Sequence, residues 1–119
     1  MARRYKSYTA ETGIVYRYFF ESRRSLARPS GLGPGSDYIF VTTADQGPPF
    51  VLRVFVSHRA TAAWHDARSR QLDSSEQYAA AKMRLFRAFD ELENLREESL
   101  NLVVDETNME ELLEALDLT

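Results

Sequence analysis

Residues 72–95 read LDSSEQYAAAKMRLFRAFDELENL and carry the strongest helix signal in the chain. Asp73, Ser74 and Ser75 are all suitable caps for the first turn, and either Asp73 with Glu76 or Ser74 with Gln77 can form a capping box. The interior is rich in Ala, Leu, Met, Arg and Lys and contains no Pro or Gly, a composition that favours a helix. Apolar residues recur at helical spacing along one face, which we expect to pack in the core: Tyr78, Ala81, Leu85, Phe89 and Leu92.

The composition of the whole chain is that of one globular domain. With 119 residues, of which 44% are hydrophobic and 28% charged, residues 1–119 should form a single domain. Cysteine is absent, which excludes disulfides, thiolate nucleophiles and Cys-ligated zinc. The first ten residues lack the apolar run of a secretory signal, and no segment is apolar over the length of a bilayer. We therefore expect a cytoplasmic protein without a membrane-spanning segment.

The net charge of −3 is unevenly distributed along the chain. Residues 1–60 carry nine Lys or Arg against four Asp or Glu, whereas residues 61–119 carry six against fourteen. Such a split can steer a second copy of the chain, or another partner, toward the protein. Alternatively, the two oppositely charged halves face each other within the fold, where surface charges are individually weak.

Three segments in the first half have the composition of β-strands, at residues 14–22, 37–45 and 50–57. Short connections between strands favour an antiparallel meander. Alternation along the first and third segments predicts which side chains face the core: Ile14, Tyr16, Tyr18 and Phe20, and then Leu52, Val54 and Val56. The middle segment allows either face inward, because Ile39 and Val41 compete with Tyr38 and Phe40.

Two regions around the first strand resemble loops. Residues 1–12 are polar and basic, which is typical of a frayed arm or a short extra strand. Residues 23–36 contain two prolines and three glycines, which predicts a mobile loop. A phosphate-binding loop is disfavoured there, because Pro34 interrupts the glycines and another strand follows instead of a helix.

The second half of the chain is mainly helical. Ser57 can cap a helix that continues to Arg70, with an apolar stripe that includes Trp64. After the long helix, residues 100–105 are expected to form a short strand, and Thr107 or Asn108 should cap a last helix. The predicted order is therefore β-β-β-α-α-β-α. It describes an α+β domain in which an antiparallel sheet of three to four strands packs on a long central helix and two shorter helices.

The sequence contains no constellation that indicates catalysis, a metal or a cofactor. His58 and His65 are seven residues apart, so two helical turns separate them and no third ligand accompanies them. Ser57 and His58 are neighbours in sequence, which does not place a base on the serine hydroxyl. We expect neither a catalytic centre nor a bound cofactor, and the sequence favours a non-enzymatic protein.

The outward face of the sheet is the more informative surface. Alternation sends Val15 and Val51 outward, and with them the candidate interface residues Arg17, Phe19, Arg53 and Phe55. A solvated sheet face normally alternates to polar residues, and this face retains aromatic and branched side chains. We therefore expect a helix of the same chain, a second subunit or stacked nucleic-acid bases to cover it.

The function favoured by the sequence is a non-enzymatic protein-interaction or assembly module that forms a homodimer, with an unidentified protein as a further possible partner. The alternative is a ligand-binding or enzymatic domain whose pocket, between sheet and helices, is lined by Tyr16, Tyr18 and Trp64. A second alternative is a weak binder of single-stranded nucleic acid, which the acidic net charge disfavours.

Overall fold

The computed structural model describes residues 4–28, 32–92, 95 and 102–115. Within these residues the chain forms five strands and three helices in the order β-β-β-β-α-α-β-α. Their bounds are β1 Lys6–Thr9, β2 Val15–Arg28, β3 Gly33–Ala44, β4 Phe50–Ser57, α1 His58–Arg68, α2 Ser74–Glu91, β5 Leu102–Val104 and α3 Met109–Glu114.

The strands form one curled, mixed sheet in the order β1-β2-β3-β4-β5. The first four strands are antiparallel neighbours, whereas β5 is parallel to β4. The α+β class is thus confirmed, but the expectation of an antiparallel sheet with three to four strands is wrong in two respects. The polar N-terminal region supplies an additional strand, β1. The connection from β4 through α1 and α2 returns the chain to the sheet so that β5 runs parallel to β4.

The β2–β3 hairpin is much longer than the sequence predicted. Pairing continues from Tyr16↔Ala44 to Arg28↔Gly33. The prediction of a mobile loop at residues 23–36 is therefore wrong for residues 23–28 and 33–36, and residues 29–31 lie outside the described part of the chain. Pro34 is tolerated because β3 begins to pair with β4 only at Gly35, so the missing N–H falls where β3 has one strand neighbour. The ladder therefore extends through residues whose local preferences favour a loop.

A β-bulge interrupts β2 near its middle. Phe20 pairs with Phe40 and Ser22 pairs with Ile39, so Glu21 is the extra residue. A bulge bends its strand and increases the local twist. It also exchanges the two faces of β2, because Arg23, opposite Tyr38, now lies on the side that faces the helices.

Helix α2 packs on one face of the sheet and runs in the direction opposite to β2, with its backbone closest to β4 and β5 and its aromatic side chains reaching β2. The ring of Phe89 stacks on Tyr16 with 4.2 Å between centroids and an angle of 7° between planes. Near the start of α2, the Tyr78 ring meets the Phe20 ring edge-on, with 5.1 Å between their centroids. These aromatic contacts bury the helix stripe predicted from the sequence, whose fully buried members include Ala81, Leu85 and Phe89.

The caps of the first two helices agree with the sequence. The Ser57 hydroxyl accepts hydrogen bonds from the N–H groups of Arg59 and Ala60 at the start of α1. Asp73 and Glu76 form the expected capping box at the start of α2. Among the described residues, no helix has both the length and the apolar character needed to cross a bilayer.

The predicted core faces are confirmed, and β3 resolves the ambiguity that its sequence left open. Tyr16 and Tyr18 are buried, as are Leu52, Val54 and Val56. From β3, Tyr38 and Phe40 join the main core cluster, which places Ile39 on the opposite side of the sheet. The α2 stripe selects this arrangement because its aromatic residues supply the partners for Tyr38 and Phe40.

Replacing Phe89 with alanine should lower the free energy of unfolding by about 3–5 kcal/mol, because the ring is fully buried and its loss leaves a cavity. The matched control is Glu91→Ala on the exposed side of the same helix, which should change stability by less than about 0.5 kcal/mol. Chemical denaturation followed by circular dichroism measures both values. Equal losses for the two variants would contradict this assignment of the helix faces.

Candidate functional site

The outer face of the sheet, opposite the helices, carries a cross-strand row of apolar side chains. Phe19 on β2 is paired with Val41 on β3, which is paired in turn with Val51 on β4. Phe19 and Val41 are half-buried, and Val51 is 43% exposed. Tyr5 packs edge-on against Phe19 with 4.9 Å between ring centroids and extends the row beyond β2. We call Phe19, Val41 and Val51 the outer row.

Two arginines flank the outer row. Arg17 and Arg53 are both exposed, and each lies two residues from the row along its own strand. Ion pairs in the acidic half of the chain join Arg68 to Glu110, Arg70 to Glu76 and Arg87 to Glu111. Arg17 and Arg53 belong to none of these pairs, and their exposed cationic groups are accessible to a partner.

Phe55, the fourth candidate interface residue, is not exposed. It alternates with Val54 and Val56 and belongs to the outer face, as predicted, but it is fully buried. Its ring packs tightly on the backbone of Gly35, because a Cβ at this position would lie 2.5 Å from the Phe55 Cζ atom. The prediction that Phe55 contributes an accessible interface side chain is therefore wrong, and the ring contributes to the fold instead.

The structure does not bring Tyr16, Tyr18 and Trp64 together as the walls of one pocket. Tyr16 and Tyr18 are buried against Phe89, whereas Trp64 on α1 lies beneath the guanidinium groups of Arg68 and Arg70. These side chains belong to the core, because the aromatic residues of α2 occupy the space between sheet and helices that a ligand would need. The predicted pocket is corrected accordingly.

A different cavity opens between the β2–β3 hairpin and the start of α2. Its volume is about 430 Å³, and its lining combines three aromatic rings with Arg23 and two helix N-terminal serines: Phe20, Tyr38, Tyr78, Ser74 and Ser75. Tyr38, in the interior of the sheet, is buried, whereas Phe20 is 38% exposed. The cavity therefore opens toward the side of β2. Sequence alternation marked Phe20 as a core residue and gave no sign of this exposure.

Two lysine side chains lie further along this side of the protein, Lys82 on α2 and Lys6 on β1. The Lys82 ammonium group is 5.8 Å from the ring centroids of Tyr18 and Phe86. Partial burial, and then the neighbouring charge of Lys6, lower the pKa of Lys82 below its ordinary value. Two cations lying side by side create a local excess of positive charge that an anionic group would relieve.

The histidines also lie near one cavity. His58 and His65 line a polar depression of about 370 Å³ together with Thr61, Gln71 and Gln77. Among the described residues, no group of three His, Asp or Glu side chains is arranged to hold a metal ion. Ser57 is buried, and its hydroxyl is engaged in capping α1. The arrangement provides no nucleophile with an adjacent base.

Comparison with known protein families, with curated proteins and with solved structures finds no match to this chain.

The bond between Tyr8 and Asp90 attaches the edge strand β1 to α2. The Tyr8 hydroxyl donates to one Asp90 carboxylate oxygen at 2.7 Å, and the Glu11 N–H donates to the other at 2.9 Å. Hydrogen bonding to the Asp90 carboxylate, with burial as the second cause, raises the pKa of Tyr8 to about 12. The protonated phenol is therefore favoured in the folded protein.

Substituting Gly35 by alanine should destabilise the fold by about 1–3 kcal/mol through overpacking. The new methyl group would lie 2.5 Å from the Phe55 ring and from the Val56 carbonyl oxygen. Thermal unfolding of Gly35→Ala tests this, with Gly13→Ala as the comparison. A Cβ at Gly13 meets nothing within 4 Å, so that variant adds only the backbone strain of an alanine at a φ of +93°. A Gly35→Ala protein as stable as wild type would show that Phe55 is not packed on the glycine.

The Tyr8–Asp90 bond should make stability depend on alkaline pH. At neutral pH, Tyr8→Phe should reduce the free energy of unfolding by about 1 kcal/mol, because one hydrogen bond is lost. A pKa raised from 10.0 to about 12 in the folded state means that the wild-type advantage is complete below pH 10 and declines as pH rises toward 12.

Denaturation of wild type and Tyr8→Phe at several pH values measures this window. Tyr5→Phe, which alters an exposed tyrosine, serves as the control. A difference between wild type and Tyr8→Phe that stays constant from pH 8 to pH 12 contradicts the assigned bond.

Proposed function

We propose that this protein is a non-enzymatic interaction domain that assembles as a homodimer through the outer face of its sheet. The single observation that carries the proposal is the outer row, Phe19, Val41 and Val51, which crosses three adjacent strands on the face opposite the helices. The buried residues of α1, α2 and α3 belong to the core on the other side of the sheet, and Val51 in the row is 43% exposed.

Covering the row adds a hydrophobic contribution to association. Full burial of a Val or Phe side chain contributes about 1.5–3 kcal/mol relative to leaving it in water, and each residue of the row, which is already partly buried, gains a fraction of this. Tyr5, 42% exposed, packs on Phe19 and enlarges the apolar area, whereas Val15, 39% exposed, lies on the same face beyond Arg17. An apolar centre of this kind is what association of two protein surfaces requires.

The arginines on this face are placed where a protein interface tolerates them. Arg17 and Arg53 lie on either side of the row, so their stems can extend over apolar surface while their guanidinium groups remain in water. A rim of this type, around an apolar centre, is the usual arrangement of protein–protein contacts. Because the centre of the face is apolar and carries no directional polar group, the same patch on a second copy complements it in a two-fold arrangement.

The test is the oligomeric state of Val51→Asp. An acid in the centre of the contact would have to be buried unpaired, so the variant should be a folded monomer at concentrations at which wild type is a dimer. Val51 is 43% exposed in the single chain, so the substitution should leave the fold intact, unlike a change at the buried Phe55. Size-exclusion chromatography coupled to light scattering measures mass, and circular dichroism checks folding.

Ala62→Asp is the matched control, because it introduces the same charge at an exposed position of α1, away from the sheet. It should remain dimeric. A wild-type protein that is monomeric at micromolar concentrations, or a Val51→Asp dimer as stable as wild type, contradicts the proposal.

A further inference from the structure

The β2 strand has an open edge beside the start of α2. β1 pairs with β2 only from Val15 to Tyr18, whereas the pairing of β2 with β3 continues to Arg28. Among the described residues, the stretch from Phe20 to Leu26 therefore has a strand neighbour on one side only. Its outward N–H and C=O groups are a template for a further strand.

Helix α2 turns this edge into one side of a groove. The Tyr78 ring of α2 lies over Phe20, a position of β2 that the pairing with β1 does not reach. The cavity of about 430 Å³ occupies this place, with Phe20, Tyr38 and Tyr78 as its aromatic walls. A strand added at the edge would thus pair with β2 through its main chain and direct alternate side chains toward the aromatic cavity.

The groove is bordered by cations. Arg23 lines the cavity, and Arg24 follows it on the opposite face of the edge strand. Lys6, the first residue of β1, lies beside Lys82 at the place where the pairing of β1 with β2 stops. In the described part of the chain, none of these four side chains forms an ion pair with an acid, and Glu21 in the bulge is the acid nearest in sequence to the edge.

We propose that the groove between the open edge of β2 and the start of α2 binds an extended acidic peptide segment of a partner protein by strand addition. A large apolar side chain of the peptide occupies the cavity formed by Phe20, Tyr38 and Tyr78. Aspartate or glutamate residues on either side of it pair with Arg23 and with the lysines. This site is on the helix side of the sheet, so it is separate from the outer row and adds a second binding surface to the domain.

The unpaired main chain decides between a peptide and other anionic polymers. A nucleic acid could satisfy the cations and stack on the aromatic rings, but it has no main chain that matches the spacing of a strand edge. An extended peptide satisfies the edge, the cavity and the cations together, which is how strand addition combines affinity with specificity. Acidic rather than basic peptides follow from the charge of the groove.

The experiment begins with selection of peptides of about eight residues, an ordinary strand length, from a phage-displayed random library on the immobilised full chain. The enriched peptides should contain a large apolar residue flanked by Asp or Glu. A fluorescein-labelled copy of the most enriched peptide is then titrated with protein and followed by fluorescence polarisation.

Charge reversal at the groove provides the first readout. Arg23→Glu should weaken binding by about tenfold or more, because an attraction becomes a repulsion. Arg87→Glu is the matched control: it makes the same change on α2 at a partly exposed position outside the cavity lining, and should alter affinity by no more than about twofold. Equal effects of the two variants would overturn the proposed location.

N-methylation of the peptide provides the second readout. Strand addition predicts that methylating alternate peptide nitrogens abolishes binding while methylating the others is tolerated, because only every second N–H faces β2. Hydrogen exchange of the amides from Phe20 to Leu26 should slow when the peptide binds. Tolerance at every position, a library that enriches no acidic peptide, or binding of a labelled single-stranded oligonucleotide in place of peptides would each overturn the proposal.

Discussion

The stacking of Phe89 on Tyr16 is the contact on which the arrangement of sheet and helices depends. The two rings are 4.2 Å apart and nearly parallel, and both residues are buried. Phe86 makes a second stacked contact, with Tyr8 at 4.4 Å. Together these rings hold α2 along β2 and β1, because each is a large apolar surface that a sliding helix would return to water. The space between sheet and helix is therefore filled with side chains, which explains why the predicted pocket of core tyrosines and Trp64 does not form.

The length of the β2–β3 hairpin, compared with that of β1, produces the groove beside α2. The hairpin continues beyond the end of β1, so the same strand is paired on both sides in its first part and on one side in its second part. The bulge at Glu21 falls between these two parts and turns Arg23 toward the helix side. The groove beside α2 results from this mismatch in strand length. Its aromatic and cationic lining comes from residues that a regular, unbulged strand would have placed on opposite faces.

The outer face of the sheet is buried in one part and exposed in another. Phe55 and Ile39 on this face are buried, whereas Val51, on the same strand as Phe55, is 43% exposed. Gly35 lacks the Cβ that would clash with the Phe55 ring, so the ring packs closely on the neighbouring strand. The accessible part of the face lies around Val51. It is this part, the outer row with its flanking arginines, that supports the proposal of assembly.

The sequence by itself determined the local structure where one signal dominated. The capping box of Asp73 and Glu76, the α2 stripe through Phe89, and the alternation of Leu52, Val54 and Val56 all carry their structural preference within a few residues. The tertiary structure alone decided the rest. Long-range pairing drew residues 23–28 and 33–36 into a ladder against their local preference for a loop, since the main-chain groups that face the neighbouring strand gained partners.

The same distinction applies to the surfaces. Alternation correctly placed Arg17, Phe19, Arg53 and Phe55 on one side of the sheet, because the pleat is a local property of each strand. It did not determine which of them remain accessible, because burial depends on the strand that lies beside each residue. The Phe55 ring packs on a glycine twenty positions earlier, and the groove of Phe20 and Tyr78 exists owing to a helix far along the chain. Such contacts join distant residues, so no local pattern encodes them.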